Sequence, residues 1–355
     1  MGDDELIADD REVRFRSGDV TVAGAWRGPA HDTAPVPAAV LIAGSGPVDR
    51  NGNATVPPYD GLHFDCLRWL ADLCSAAGIA SLRYDKLGVG ATGPAPFGSP
   101  TLTDMDFDVA SVQPARDALA FAATQPGVDP RRLLLVGHSE GGGIALAVAA
   151  SPREAPAPAR LALVEPAYER LLDTVGRQLS DQVRTAGFEP AVTDGLLGWI
   201  ERGIAEIRSG TPPFAPPGPV PFPEADGFLA QGQQIIEGAV YQRLRNRLGT
   251  TEDELDPVAL AATVQVPTFV SAGTKDFNTP VREAGGGGVA TLAAAFPDGV
   301  ADFAVIPDLH HTLRDIGDAD LMLPEAEALT HPFSQAFADE FTRFLASWAS
   351  GDARP

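Results

Sequence analysis

The chain has 355 residues, 44% of them apolar, and a formal net charge of −22. A chain of this length buries a substantial core and has room for one large domain plus an insertion. Its acidity argues against nucleic acid or an anionic membrane surface as the main partner, and no stretch approaches 18 apolar residues, so no transmembrane helix is expected.

The opening Met1-Gly2-Asp3-Asp4-Glu5 lacks a basic region followed by an apolar core, which predicts no secretory leader. Residues 12–27 read as a hairpin: Val13 and Phe15 alternate with charged residues, Ser17-Gly18-Asp19 is the turn, and Val20, Val22 and Trp26 lie on the return arm. Ala38 to Ala43 is an apolar run. A helical pattern near 61–77 places Leu62, Cys66, Leu67, Leu70 and Leu73 on one face. Cys66 and Cys74 sit on that helix at a separation of about 12 Å, too far for a disulfide. They read as apolar fillers, and a reducing cytoplasm fits them. No Cys/His cluster has zinc spacing, so neither metal nor cofactor is expected.

Ile79 to Tyr84 is the next strand. A helix near 107–124 follows, with Pro114 marking its first turn or a kink. Leu133 to Val136 is a strand, 140–150 a helix, and Leu161 to Val164 another strand. This alternation predicts an α/β fold, a mostly parallel sheet with helices on both faces. From 166 to 258 the pattern is helical only. One stripe is Leu172, Val175, Leu179 and Val183; a second is Leu197, Ile200, Ile204 and Ile207; a looser third is Ile236, Val240, Leu244 and Leu248. Residues 211–223 hold seven prolines and read as a stiff connector inside the insertion rather than a docking motif. Strands resume at Thr268 to Ala272 and Phe303 to Ile306, and a helix from Phe333 to about Trp348 closes the chain. Gly285 to Gly288 lacks the partners of a phosphate loop. The expected division is therefore a core of 1–165 and 259–355 with a helical insertion at 166–258.

Gly137-His138-Ser139-Glu140-Gly141 carries the chemistry. An apolar strand ends in Gly-x-Ser-x-Gly and an Ala-rich helix begins at once, the sequence form of a nucleophile elbow. The turn is strained, so side chains at 137 or 141 would crowd the backbone. The following helix points its positive end at the place where negative charge forms in acyl transfer. A serine hydroxyl is a poor nucleophile and needs a neutral imidazole, itself oriented by an acid. Of the six histidines, His31, His63 and His331 lie elsewhere, and His138 should point away from the serine. His310 and His311 follow the last strand at the sheet edge where the elbow opens, and either one fits. Asp276, past the strand and turn ending Gly273-Thr274-Lys275, is the acid. Asp302 and Asp308 are rivals that do not follow their own strand in this way. Gly44-Ser45-Gly46-Pro47, after the first core strand, suits an oxyanion loop, with the backbone N–H groups of Ser45 and Glu140 as donors.

Four segments resemble those of a bacterial esterase group within the α/β-hydrolase superfamily, the capped serine-esterase branch. Gly44 to Asn53 resembles its "GSGPxDRDGN" loop, Leu82 to Gly90 its "LRYDKRGVGxS" segment, Gly137 to Gly142 its elbow, and Val266-Pro267 through Asp276 its acid strand. Leu87 replaces the usual Arg, and Ala91-Thr92 stands where Ser is usual. The family's "NH-x-L" or "DH-x-L" loop places His311 at the base position and His310 where Asn or Asp is usual. The resemblance implies an α/β-hydrolase fold with a helical cap over the insertion. It also implies a serine carboxylic-ester hydrolase with Ser139, Asp276 and His311 as catalytic residues. The cap carries no motif of the group, and an apolar acyl pocket beneath it favours small neutral esters of short to medium acyl chain. Thioesterase, lactonase, C–C hydrolase and acyltransferase activities use the same triad. A catalytically silent binding protein is the reading of a different class. The sequence sets no oligomeric state.

Overall fold

Val36–Ile42 (β3) is buried along its whole length, as its unbroken apolar run requires of a strand covered on both faces. It lies at the centre of an eight-stranded sheet ordered β1-β2-β4-β3-β5-β6-β7-β8. The computed structural model describes residues 9–28, 35–57, 60–151, 156–209, 246–282 and 287–349. The other strands are β1 (Arg11–Ser17), β2 (Val20–Arg27), β4 (Ala80–Tyr84), β5 (Val128–His138), β6 (Arg160–Val164), β7 (Thr268–Gly273) and β8 (Ala301–Ile306). β1 and β2 form the expected hairpin, with Ser17 opposite Val20 and Gly18 in the left-handed region at φ 53°. β2 also runs antiparallel to β4, whereas every pairing from β4 to β8 is parallel.

Register decides what meets at the sheet's carboxyl edge. Ile42 pairs with Gly137, His138 with Val164, and Gly273 with Ile306. The chain therefore leaves β3, β5, β6, β7 and β8 along one line. The residues just beyond are Gly44-Ser45, Ser139, Glu165, Asp276 and His310-His311. A parallel sheet collects its loops for ligand chemistry at this edge.

Strand side chains alternate between faces. Ala39, Leu41, Val136, Ala162 and Phe269 pack against α1 (Cys66–Ala76) and a C-terminal helix, Gln335–Ala349, whose Phe337, Phe341 and Leu345 are fully buried. On these strands contacts are also made by α3 (Gln113–Ala123) and α4 (Glu140–Ala150). Cys66 and Cys74 are buried free thiols, and burial pushes both up to about 12. α1 starts at Cys66, later than its periodicity predicts, because Asp65 is held at φ 52° while its N–H and carboxylate bond the Asn53 side chain. The helix expected near 107 opens with a wider π turn at Asp108–Val112, and α3 proper begins at Gln113. Pro114 has no N–H for the Ala110 carbonyl.

The chain divides into two compact units. The first holds the sheet and its helices. The second joins Glu169–Asp256 with Gly98–Ala110. Residues 98–110, expected in the core, cluster instead with the helical residues, since Phe107 N–H donates to Thr251 Oγ1 (2.8 Å) and Arg247 pairs with Asp106. After α2 (Pro100–Thr103), this unit contains α5 (Leu171–Thr185), α6 (Pro190–Ser209) and α7 (Arg247–Asp253). The two predicted stripes pack on each other: Val183 against Val192, Leu196 and Ile200, and Leu172 against Ile207. Asp253 accepts the Leu172 N–H at 2.8 Å, capping α5, and binds Arg170 and Arg208. The proline-rich segment and most of the third stripe lie outside the described residues. No helix among the described residues is long and apolar enough to cross a membrane.

Candidate active site

Ser139 is held at φ 55°, ψ −121°, a conformation that costs a non-glycine residue and marks the tip of a sharp turn. Its neighbours explain the glycines around it. A Cβ on Gly137 would lie 2.1 Å from the Gly141 carbonyl oxygen, and one on Gly141 would lie 2.3 Å from the Ile42 oxygen. The backbone of Ser139 is pinned twice: its N–H donates to Val164 O (3.0 Å), and its carbonyl accepts the Gly142 and Ala167 N–H groups.

His311 Nε2 lies 3.1 Å from Ser139 Oγ, and His311 Nδ1 lies 2.7 Å from Asp276 Oδ2. Asp276 also accepts the N–H (2.8 Å) and hydroxyl (2.7 Å) of Thr279. Burial alone would raise the Asp276 carboxyl; the His311 charge and the hydrogen bonds from His311 and Thr279 outweigh it and hold the group well below the usual range. An ionised carboxylate only accepts, so Nδ1 carries the imidazole hydrogen and Nε2 is left to accept from the serine. His310 is turned elsewhere. Its Nδ1 meets the Thr312 hydroxyl (2.9 Å) and accepts the Thr312 N–H (3.2 Å), and burial pushes it down to about 4. Of the rival acids, Asp302 is exposed on β8, and the Asp308 N–H bonds Thr274 Oγ1.

Three contributors were not singled out from the sequence. His138 Nε2 lies 2.9 Å from the His311 carbonyl oxygen and donates to it, fixing the backbone of the histidine that meets the serine. Burial, reinforced by nearby His311, pushes His138 down to about 3, so its ring is neutral. Glu165, one residue past β6, is fully buried beside Asp276. Lys86 Nζ donates to the Gly44 carbonyl. In a trans peptide the C=O and the next N–H point opposite ways, so this grip on Gly44 also fixes the direction of the Ser45 N–H. Gly44 is close against the elbow: a Cβ there would stand 3.1 Å from Ser139 Cβ. Glu140 opens α4, where the N–H lies outside the helix's own ladder.

The loop after Gly46 is braced by the residues of the two resembling motifs. Asp85 Oδ1 accepts from Arg50 N and Nε, and Oδ2 from Arg50 Nη2 and the Ala91 N–H, at 2.8–3.1 Å. Asp49 Oδ1 accepts the N–H groups of Asn51 and Asn53. A Cβ on Gly90 would fall 2.4 Å from Asp85 Oδ2, which accounts for glycine in Leu-Gly-Val-Gly. Signals for these roles existed as motif letters, but their partners are 35 residues apart.

A hydroxyl, imidazole and carboxylate in line, on the loops after β5, β8 and β7, define the α/β-hydrolase type of scaffold. The comparisons agree on the fold. The sequence profile of an α/β-hydrolase-fold family matches residues 109–217. An acetyl xylan esterase from Paenibacillus sp. R4 superposes with a TM-score of 0.52 at 16% identity, covering 97% of this chain and 84% of that one. Est1E from Butyrivibrio proteoclasticus with ferulic acid bound gives 0.50 at 14%, covering 96% and 98%. A proline iminopeptidase from Mycobacterium smegmatis gives 0.53 at 17%, covering 97% and 100%. No curated protein matches the sequence.

Proposed function

We propose that the chain is a serine hydrolase that cleaves carboxylic esters through an acyl-enzyme, with small neutral esters of short to medium acyl chain as substrates. One observation carries the reading: on this fold, His311 stands 3.1 Å from Ser139 Oγ and 2.7 Å from Asp276 Oδ2. His311 Nε2 takes the hydroxyl proton as Oγ attacks the acyl carbon, and Asp276 holds the tautomer and faces the imidazolium that forms. The Ser45 and Glu140 N–H groups meet the oxyanion. The proton passes from His311 to the departing alkoxide, and water, activated by the same imidazole, then releases the acid. Structures named as esterases share the fold, and the net charge of −22 disfavours anionic substrates at long range.

A fluorophosphonate probe with intact-mass readout tests the nucleophile. The expected result is one adduct, absent in Ser139→Ala; an unlabelled native protein refutes the proposal. A panel of p-nitrophenyl esters of rising chain length, with a thioester, a lactone and an acyl acceptor alongside, ranks the substrate classes. Loss of activity in His311→Ala but not in His310→Ala is expected. The reverse would move the base to His310.

A further inference from the structure

Glu165 lies at the sheet edge one residue after β6, at φ 45°, in the left-handed region that a glutamate rarely occupies. Its carboxyl is fully buried. Oε1 accepts the Ser271 hydroxyl at 2.9 Å and Oε2 the Gly273 N–H at 2.6 Å. Its backbone carbonyl lies 3.1 Å from Thr279 Oγ1, the same hydroxyl that bonds Asp276 at 2.7 Å. The Glu165 carboxyl adjoins that of Asp276, near enough for the Asp276 charge to act on it. Among the described residues no lysine or arginine pairs with either one, and the only cation available to them is His311 when protonated.

Two buried carboxyls in contact do not both ionise. Asp276 takes bonds from His311 and twice from Thr279, all of which favour its charged form. If one of the two carboxyls keeps a proton, these contacts favour Glu165 as its holder, because the donors around Asp276 reward its charged form. Burial and the adjacent Asp276 charge agree, holding Glu165 well above the ordinary range. The other titratable groups facing the pair are His311, from the loop after β8, and His138, from the end of β5, whose ring centroid is 4.9 Å from that of His311.

We propose that Glu165 is a positioning residue of the hydrolytic site: as a neutral acid it donates to the Asp276 carboxylate, fixes Oδ2 against His311 Nδ1, and keeps the buried pair at a single negative charge. This rests on the serine-hydrolase reading for its kinetic consequences but not for the protonation state. A second anion behind Asp276 would make the imidazole more basic, so that His311 stayed protonated to higher pH and could not accept from Ser139.

Two variants separate positioning from packing. Glu165→Leu removes the donor, so kcat per titrated active site should fall about tenfold, the worth of one hydrogen bond to a charged group, with KM nearly unchanged. The acid limb of kcat/KM should move to higher pH, because Asp276 loses a bond that disperses its charge. Glu165→Gln keeps an N–H donor and cannot ionise; it should recover most of kcat and return the acid limb to its wild-type position. A structural role alone would lower the active fraction in both variants without moving the limb, and that result overturns the proposal. An activity-independent readout covers the case in which the hydrolase reading itself fails. Infrared spectroscopy at pH 7 should give a buried protonated-carboxyl band in the wild type that is lost in Glu165→Gln. Its absence from the wild type overturns the proposal whatever the substrate.

Discussion

Arg50 holds two carboxylates that the same chemistry would rank equally and burial ranks far apart. Its Nη1 meets Glu12 in a bidentate contact of 2.8 and 2.9 Å, and its Nε and Nη2 meet Asp85 at 3.1 and 2.8 Å. The Glu12 side chain is 80% exposed and that of Asp85 only 3%. Replacing Glu12 with Gln disturbs a screened surface pair worth about 0–1 kcal/mol. Replacing Asp85 with Asn turns one of two oxygens, each accepting two bonds, into an NH2 group that can only donate. Either amide rotamer therefore loses two bonds and faces N–H groups with N–H groups. At about 1.5–3 kcal/mol for a bond to a charged group, the loss is about 3–5 kcal/mol after relaxation. Because Asp85 ties residue 50 to residue 91, the damage should reach the Gly44–Pro47 loop, and kcat per labelled site should fall as well. Thermal and urea unfolding of the two variants, with fluorophosphonate counting of active sites, measures both effects. Equal destabilisation by Glu12→Gln and Asp85→Asn, or an Asp85→Asn protein within about 0.5 kcal/mol of wild type, would refute the ranking by burial.

Glycine positions should separate in the same way. Gly141→Ala drives a Cβ to 2.3 Å from the Ile42 oxygen and 2.9 Å from that of Ala43, so soluble, labelled protein should be lost. Gly46→Ala meets nothing within 4 Å and has only its φ of 79° to bear, at about 1–2 kcal/mol; similar yields of the two variants would contradict this. In the helical unit, Asp253→Ala removes the α5 cap and the shared partner of Arg170 and Arg208. A loss of about 2–3 kcal/mol is expected, read as faster hydrogen exchange in α5 (171–185). Stability should also fall on mild acidification. His138 and His310, down to about 3 and 4, stay neutral when folded, whereas the unfolded rings take protons below about 6.5. The unfolded state then binds more protons, so each ring destabilises by up to about 1.4 kcal/mol per pH unit between roughly pH 6.5 and 4. Glu165, raised when folded, acts oppositely above its ordinary value: the folded state is the one holding the extra proton, and that stability is lost as pH rises. His138→Gln should remove about one ring's share of the slope in urea midpoints between pH 7 and 5, and an unchanged slope would refute the assignment.

What could be read from the chain was what repeats or punctuates. Apolar runs gave β3, β5 and β7, period-2 alternation gave the β1–β2 hairpin, and the helical stripes at 172–183 and 197–207 face each other. What could not be read depends on residues far away in sequence. The start of α1 is displaced to Cys66 because Asp65 answers to Asn53 across a loop. Residues 98–110 leave the core because Asp106 and Phe107 answer to Arg247 and Thr251, more than 140 positions later.

The buried acids show why geometry had to decide. Asp276 and Glu165 both follow an apolar strand at the same sheet edge, and a rule that looks for an acid after a strand would accept either. They differ in what surrounds them. Asp276 faces three donors besides Glu165, His311 Nδ1 and the two groups of Thr279, and so keeps its charge. Glu165 faces one backbone N–H, one hydroxyl and a carboxylate, and burial with that neighbouring charge raises its carboxyl above the ordinary range. The same holds for His310 and His311, adjacent in sequence and opposite in direction. One ring answers to Thr312, the other to Ser139 and Asp276. Strand order places both acids and both histidines at the edge, and only the neighbouring strand's loop determines which of them is charged, neutral or in reach of the serine.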